Sequence, residues 1–196
     1  MTQPSAKRET REDILRVSMS LFAKRGYDAV SMREIGAEVG VQPAALYYYF
    51  PDKRSLYLEV MKFAFTDVMS GSIAALAGDA PPLVRLKRFV TALTDDLTAN
   101  PELLPLMQRE RLTNDQERQK LLIDEVVAKP FAVLIDTVKE LAPDRDPLLT
   151  AMSVYGLVIF FLESQPISRF MPGWSEKHEK PATLVLHVTD ILDSLF

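Results

Sequence analysis

The sequence predicts an all-α protein, and three observations support this fold class. Apolar residues recur three and four positions apart along almost the whole chain, which is the period of an amphipathic helix. The alternation that marks half-buried strands is nearly absent. The composition, 47% hydrophobic and 26% charged residues in a chain of 196, is typical of a globular protein and too apolar for a disordered one.

Composition also excludes several kinds of functional site. With no cysteine, the chain has no disulfide, thiolate metal site or cysteine nucleophile, and its two histidines, His178 and His187, are too few for a multi-histidine metal centre. We therefore expect no metal and no other cofactor. The longest unbroken apolar run, residues 154–162, is shorter than the ~18–20 residues that span a bilayer. Residues 1–10 are polar, unlike a signal peptide, so we expect a cytoplasmic protein without a membrane partner.

Charge is unevenly distributed along the chain, whose net charge is −4. Residues 1–58 carry nine basic and seven acidic side chains, a net charge of +2, and the remainder carries −6. A mildly basic N-terminal part on an acidic body is consistent with a small nucleic-acid-binding domain. Since this positive excess is small, sampling variation is the alternative explanation.

Capping patterns predict the first two helices. Thr10 and Asp13 have the spacing of a capping box and predict the start of the first helix, which Gly26 is expected to end in a left-handed conformation. Ser31 and Glu34 form a complete capping-box pattern, so a short second helix is predicted from Ser31 to a stop at residue 40.

Prolines delimit the next two helices. Pro43 suits the first position of a third helix, and Pro51 ends that helix because the residue before a proline disfavours the α conformation. Asp52 is the predicted N-cap of a fourth helix, whose apolar stripe continues to Val68.

The remaining segments have the same periodicity. Pro130 interrupts a long helical stretch, where it kinks the helix or begins a new one. Asp146 and Pro147 are an N-cap followed by a first-turn proline. The predicted helices cover residues 83–99, 101–112, 115–141, 147–163 and 181–195, with a loop at residues 164–180.

The two short helices on either side of Gly40 form a helix-turn-helix pattern. In that motif the first helix crosses the phosphate backbone and the second presents its N-terminal half to the major groove. Ala44 and Ala45 are small enough for this half to lie close to base edges, where their methyl groups can contact thymine.

The second of these helices carries Tyr47, Tyr48 and Tyr49 in succession. At ~100° per residue the three cannot all point inward, so at least one is expected to face outward, where it can contact sugars and phosphates. The alternative is that the three rings cover the small core of this domain.

Two cations, Lys53 and Arg54, occupy the predicted first turn of the fourth helix, where the helix dipole disfavours positive charge. Such a local inconsistency often marks a functional site. A DNA phosphate there would meet both free backbone N–H groups and the lysine ammonium. The alternative is an ordinary solvated lysine beside Asp52.

These features occur together in a pattern that resembles the N-terminal domain of the tetracycline-repressor (TetR) family. The matching motifs are Gly26-Tyr27, Ser31-Met32-Arg33-Glu34-Ile35-Gly36, Val39-Gly40-Val41 and Leu46-Tyr47-Tyr48-Tyr49-Phe50-Pro51-Asp52-Lys53 followed by Leu56. The resemblance implies an all-α homodimer, with a three-helix DNA-binding domain containing the helix-turn-helix at residues 1–55 and a larger helical ligand-binding and dimerisation domain at residues 56–196. Double-stranded operator DNA and a small-molecule effector are the partners it implies.

The resemblance also implies which residues contact DNA. Those that approach bases are Arg33, Gln42, Pro43, Ala44, Ala45 and Tyr47. Tyr48, Tyr49 and Lys53 are expected to contact the DNA backbone. Ala45 departs from the threonine or serine common in the family, so base reading is expected to depend more on Arg33, Gln42 and DNA shape.

The body offers candidates for effector binding and dimerisation. Apolar and aromatic residues expected to line an effector pocket are Phe65, Met69, Phe89, Leu93, Met107, Phe131, Ile135, Tyr155 and Ile159. Each of them is also a candidate for the plain hydrophobic core. Glu110 and Glu163 border apolar stretches and are candidates for selecting a cation, although exposed carboxylates at helix ends are the commoner explanation.

The last two predicted helices are the expected dimer-forming pair. Residues 147–163 are apolar almost all round, which requires a packing partner on more than one side. The alternative is a central helix that is fully buried in a monomer. Val188 and Leu192 lie four apart on the apolar stripe of the last helix and are the residues expected at the interface.

The leading functional hypothesis is a DNA-binding regulator, most often a repressor in this family, which an effector releases from a pseudo-palindromic operator. One alternative is an all-α small-molecule carrier or enzyme that keeps only the fold. We do not expect an enzyme, because no nucleophile–base pair or glycine-rich phosphate loop is present. The other alternative is a DNA-binding protein without a ligand, whose body serves only for dimerisation.

Overall fold

The structure is a computed structural model that describes residues 4–196, with side chains described from Thr10 onwards. The described residues contain no strand, and the fold is all-α, as predicted. The helices are α1 (Pro4–Arg25), α2 (Met32–Val39), α3 (Pro43–Tyr49), α4 (Lys53–Phe63), α5 (Ser70–Ala75), α6 (Pro82–Ala99), α7 (Leu103–Arg111), α8 (Gln116–Leu122), α9 (Ala128–Leu141), α10 (Pro147–Ser168) and α11 (Pro181–Leu195). Two π-helical segments, Ala64–Val68 and Ile123–Val127, and a 3₁₀ turn at Glu176–Glu179 complete the secondary structure.

Two predicted boundaries are wrong. Helix α1 begins at Pro4 and not at Thr10, because proline suits the first helical position and the residues that follow include good helix formers. Helix α10 continues to Ser168 through Pro166, where a loop was expected. Proline removes one backbone donor and strains the preceding turn, but this apolar helix tolerates it.

The chain folds into two compact units that are not contiguous in sequence. The first unit contains the described residues up to Asp67 together with Pro101–Val126, and the second contains Val68–Asn100 and Val127–Phe196. The linear division predicted after residue 55 therefore differs from the packing, because α4, α7 and α8 pack with the N-terminal helices. The division by function, into DNA-binding and effector-binding domains, stays a prediction.

The first unit is built around α1, which packs against α2, α4 and α7. Its core is aromatic: the ring of Phe22 meets the ring of Tyr57 edge-on at 5.1 Å, and Tyr27 meets Tyr57 at 5.0 Å. Leu46 from α3 and Phe50 after it are buried in the same unit. This core holds the two short helices α2 and α3 in place.

The second unit is organised around α6, which packs against α5, α9, α10 and α11. Its buried side chains include Leu86, Val90 and Leu93. Helix α10 is long and apolar enough to cross a membrane by length and composition alone, with a mean hydropathy of 1.6. One helix of this kind is weak evidence for a membrane span, because core helices of soluble proteins have the same composition.

Candidate DNA-binding site

Helix α2 is held by the capping box that the sequence predicts. The Glu34 amide donates to Ser31 Oγ at 3.3 Å, and Glu34 Oε2 accepts from the Ser31 amide at 2.8 Å. Arg25, at the end of α1, donates to Glu34 Oε1 at 3.0 Å. Hydrogen bonds from the Ser31 side chain and backbone, and from Arg25, lower the pKa of the Glu34 carboxyl to about 2. The capping box and Arg25 of α1 therefore orient the start of α2.

The turn between α2 and α3 is tight. Gly40 adopts a left-handed conformation with φ of 77°, and the Val41 amide donates to Gly36 O at 2.9 Å. A Cβ atom at Gly36 would lie 3.3 Å from Val41 O, so this glycine permits the close approach of the turn. The geometry confirms the predicted helix-turn-helix.

Helix α3 buries one side and exposes the other. Leu46 is fully buried, whereas Tyr47 and Tyr48 are exposed, Tyr48 over 69% of its surface. The exposed predicted contact residues are Arg33 on α2 and Gln42, Pro43, Ala44, Tyr47 and Tyr48; Ala45 and Tyr49 are half-buried. The expectation that at least one tyrosine faces outward is therefore confirmed.

Lys53 occupies a different environment from the one predicted. Its ammonium donates to Tyr27 O at 2.8 Å and to Val30 O at 2.9 Å, and it lies 4.2 Å from the centre of the Tyr27 ring. Asp52 caps α4 by accepting from the Ser55 amide at 2.7 Å. Two backbone carbonyls that are distant in sequence therefore stabilise the positive charge in this first turn. The alternative of an ordinary solvated lysine is wrong, and the phosphate contact stays a prediction.

Glu110 was expected to be an exposed carboxylate or a cation-selecting group, and both interpretations are wrong. It is buried in the first unit, where it accepts hydrogen bonds from Tyr57 and Arg118. The sequence contains no signal for this cluster, because its members lie up to 61 positions apart and only packing brings them together. Glu163 is half-buried on α10.

A cleft of about 310 Å³ in the first unit is lined by this cluster and by Tyr27, Arg25 and Arg109. None of the predicted effector-binding residues lines it. Phe65 and Met107 are half-buried in the first unit, and the other seven belong to the second unit. There, Met69, Phe89, Leu93 and Ile159 are buried, Ile135 is half-buried, and the rings of Phe131 and Tyr155 lie 6.0 Å apart. The effector pocket stays a prediction.

The exposed apolar residues of α10 and α11 differ from those expected at a dimer interface. Val188 and Leu192 are fully buried, because their side of α11 packs within the second unit against α6 and α10. The prediction that these two residues lie at an interface is therefore wrong. The apolar side chains that α10 and α11 expose, which we call the α10–α11 surface, are Leu148, Leu149, Met152, Phe160, Phe161, Ile167, Leu186 and Leu195.

No group of three or more metal-ligating side chains occurs among the residues that the structure describes. Beside the acidic Glu34 and Glu38 of α2, the exposed residues around the helix-turn-helix include hydrogen-bond donors that can contact a polyanion, namely Arg33, Gln42, Tyr47 and Tyr48.

Comparison with known proteins identifies this region. Residues 14–60 match the bacterial regulatory proteins of the tetR family. The HTH-type transcriptional repressor KstR of Mycobacterium tuberculosis is 30% identical over 133 residues, which are 65% of this chain and 60% of KstR. The chain thus spans about 60% of the length of this curated relative.

Solved structures with low identity share the fold over almost the whole chain. The fatty acid degradation regulator FadR from Bacillus halodurans has a TM-score of 0.76 at 17% identity, covering 98% of this chain and 96% of its own. The transcriptional regulator FadR from Bacillus subtilis, solved in complex with stearoyl-CoA, has a TM-score of 0.76 at 16% identity, covering 92% and 96%. Residues 14–60, which contain the capped helix-turn-helix with its glycine turn, match the tetR family of bacterial regulatory proteins, and this part of the chain is a tetR-family domain.

Proposed function

We propose that this protein is a transcriptional repressor that binds operator DNA through α2 and α3 and is released by a small-molecule effector. The observation that carries the proposal is the exposed side of α3, where Tyr47 and Tyr48 lie open to solvent inside a tetR-family domain. Aromatic side chains are costly to leave exposed, and a DNA groove would cover them. The relative KstR is itself a transcriptional repressor.

The predicted contact residues divide into two proposed roles. Arg33 and Gln42 read base edges, and Pro43, Ala44, Ala45 and Tyr47 lie against the bases. Tyr48, Tyr49 and Lys53 contact the DNA backbone, which orients the protein without reading sequence. For Lys53 this role uses its third N–H, since two are donated to carbonyls.

The operator-binding form is a homodimer that pairs the α10–α11 surface of two copies. Phe160 and Leu186 are exposed over 69% and 62% of their surfaces, and they belong to a set of eight exposed apolar side chains on two helices. A patch of this kind on a soluble protein marks an interaction site. Two copies related by a two-fold axis require a pseudo-palindromic operator.

The proposed effector is a small molecule with a long apolar chain, and long-chain acyl-CoA is the first class to test. The FadR of Bacillus subtilis was solved with stearoyl-CoA. The predicted lining residues are apolar or aromatic, which suits an acyl chain. The relatives are transcriptional regulators, and we infer that this protein likewise works in the cytoplasm and has no enzymatic activity.

Fluorescence anisotropy with a labelled duplex from the DNA upstream of the protein's own gene tests the proposal. We expect binding whose affinity falls steeply with salt, because phosphate neutralisation releases counterions. Stearoyl-CoA is expected to release the duplex, whereas free coenzyme A is the matched control and is expected not to. Absence of binding both to this duplex and to any duplex selected from a random library would contradict the repressor function.

A further inference from the structure

A buried polar cluster in the first unit connects three helices. Tyr57 on α4 donates from its hydroxyl to Glu110 Oε2 on α7 at 2.7 Å. Arg118 on α8 donates from Nε to both Glu110 oxygens at 3.3 Å. The three residues are exposed over only 2%, 9% and 5% of their surfaces. None of them lies among the exposed residues proposed to contact DNA.

Arg118 extends this cluster to the connection between α1 and α2. Its guanidinium lies 4.5 Å from the centre of the Tyr27 ring, and its Nη2 donates to Thr113 Oγ1 at 2.8 Å. Burial raises the pKa of the Tyr57 hydroxyl, and the neighbouring Glu110 carboxylate raises it further, so Tyr57 stays a neutral donor. The Arg118 guanidinium is thus held by the Glu110 carboxylate, the Tyr27 ring and the Thr113 hydroxyl.

Two further cations hold the same connection by its carbonyls. Arg109 on α7 donates to Ala23 O at 2.8 Å and to Lys24 O at 2.7 Å, which caps the C-terminal end of α1. Lys53 on α4 donates to Tyr27 O and Val30 O. Residues 23–30, which set the direction in which α2 leaves α1, are thus bonded to α4 and α7 and packed against Arg118.

These contacts are directional in a way that apolar packing is not. Charge-assisted hydrogen bonds weaken steeply with distance and angle, and a buried charge that loses its partner is strongly destabilised. Apolar residues of similar volume can supply equal stability in such a position. A cluster of this kind therefore favours one defined arrangement of the helices over a range of similar ones.

We infer that Tyr57, Glu110 and Arg118 are positioning residues, which hold the connection between α1 and α2 so that α2 and α3 present the DNA-competent arrangement. This inference rests on the proposed DNA-binding function. Loosening the cluster lowers the populated fraction of that arrangement, and the apparent dissociation constant for DNA rises by the inverse of that fraction.

The test compares Tyr57→Phe, Glu110→Gln and the double variant with the wild-type chain. The probe is a duplex selected from a random-sequence library by the wild-type protein. We expect Glu110→Gln to raise Kd about tenfold and Tyr57→Phe to raise it by less, with the salt slope unchanged because no phosphate contact is lost. The double variant is expected to be non-additive, since both changes alter the same hydrogen bond between Tyr57 and residue 110.

Thr137→Val is the matched control, because it removes a buried hydroxyl that donates to Val133 O within α9 of the second unit. It is expected to lower Tm without changing Kd. Hydrogen exchange of residues 23–49, measured without DNA, is expected to quicken in Glu110→Gln and Tyr57→Phe and to stay unchanged in the control.

An unchanged Kd with unchanged exchange at residues 23–49 in both Tyr57→Phe and Glu110→Gln would overturn the inference, even if Tm falls. If Glu110→Gln fails to fold, Tyr57→Phe decides alone, because it removes a single hydroxyl from a ring that keeps its packing. Failure of the wild-type chain to select any duplex would instead count against the proposed function.

Discussion

At the scale of single residues, Lys53 shows how a side chain can be explained by contacts that are distant in sequence. Its position in the first turn of α4 opposes the helix dipole, which by local rules predicts a phosphate contact. In the structure its ammonium donates to Tyr27 O and Val30 O, more than twenty positions away. Both carbonyls lie where the chain turns between α1 and α2, and Tyr27 O also accepts from the Val30 amide at 3.4 Å.

Lys53→Met should therefore destabilise the fold. The substitution keeps the aliphatic stem and removes the donors, leaving two carbonyls without their charged partner, and we expect a loss of about 1–2 kcal/mol. Thermal unfolding followed by circular dichroism measures it, with Lys139→Met, an exposed lysine on α9, as the control. An unchanged Tm would contradict the structural role. The proposed phosphate contact predicts in addition that the salt slope of operator binding falls by about 0.9.

Arg33→Ala should weaken operator binding selectively at one base position in each half-site. Arg33 is exposed on α2, and the exposed surface of α3 offers little but alanine, proline and tyrosine for hydrogen-bonded reading. We expect a loss of roughly 1–3 kcal/mol, with relaxed preference for guanine at that position. A base-substitution series on the selected duplex measures it, and Arg88→Ala, an exposed arginine on α6, is the control. A loss independent of base identity would assign Arg33 to a phosphate instead.

At the scale of elements, the helix boundaries depend on both local sequence signals and packing. The break expected at Pro130 occurs, but the irregular segment lies before it, at Ile123–Val127. Proline clashes with the carbonyl four residues earlier in a regular α-helix, and here that carbonyl belongs to Val126. The π-helical turn accommodates the conflict. Residues 126 and 127 also mark a passage of the chain between the two units, as does the π-helical segment Ala64–Val68.

The capping box of α2 should make its stability depend on pH. Hydrogen bonds lower the pKa of Glu34 from 4.5 to about 2, so the carboxylate stabilises α2 fully above pH 4.5 and loses this effect as the pH falls toward 2. Glu34→Gln cannot titrate. The Tm difference between wild type and this variant is therefore expected to be constant near pH 6 and to shrink below pH 4.

The control measures the same Tm difference, with and without Glu34→Gln, in chains that also carry Ser31→Ala. Ser31 is the first cause of the lowered pKa, so removing its hydroxyl should weaken the pH dependence of the difference. In chains that keep Ser31, the Tm difference between wild type and Glu34→Gln could instead stay constant from pH 6 to pH 3. That result would show that the capping hydrogen bonds do not stabilise the charged form of Glu34.

At the scale of the whole molecule, the α10–α11 surface should control the oligomeric state. Phe160→Glu combined with Leu186→Glu places charge on two exposed apolar positions, where a dimer would have to bury it unpaired at a cost of several kcal/mol. We expect a wild-type dimer and a folded monomeric variant in sedimentation velocity at micromolar concentration. Val84→Glu, an exposed valine on α6, should leave the dimer intact. A monomeric wild-type protein would contradict the proposed assembly.

The sequence by itself determined the all-α fold, most helix starts and the helix-turn-helix. These depend on short-range physics: the capping box at Ser31, the left-handed turn at Gly40 and the prolines at 43 and 51 act within a few residues of themselves. The same local rules explain why the outward tyrosines were predictable, since helical geometry allows only part of three consecutive residues to be buried.

Only the tertiary structure decided which polar groups are hydrogen-bonded within the protein and which apolar side chains are exposed to solvent. Glu110 meets Tyr57 and Arg118, and Lys53 meets the α1–α2 connection, through packing of segments far apart in the chain. Val188 and Leu192 lie on an apolar stripe, but that stripe turns inward to α6 and α10. Periodicity shows that a helix has an apolar side and cannot show what covers it, because burial depends on long-range contacts.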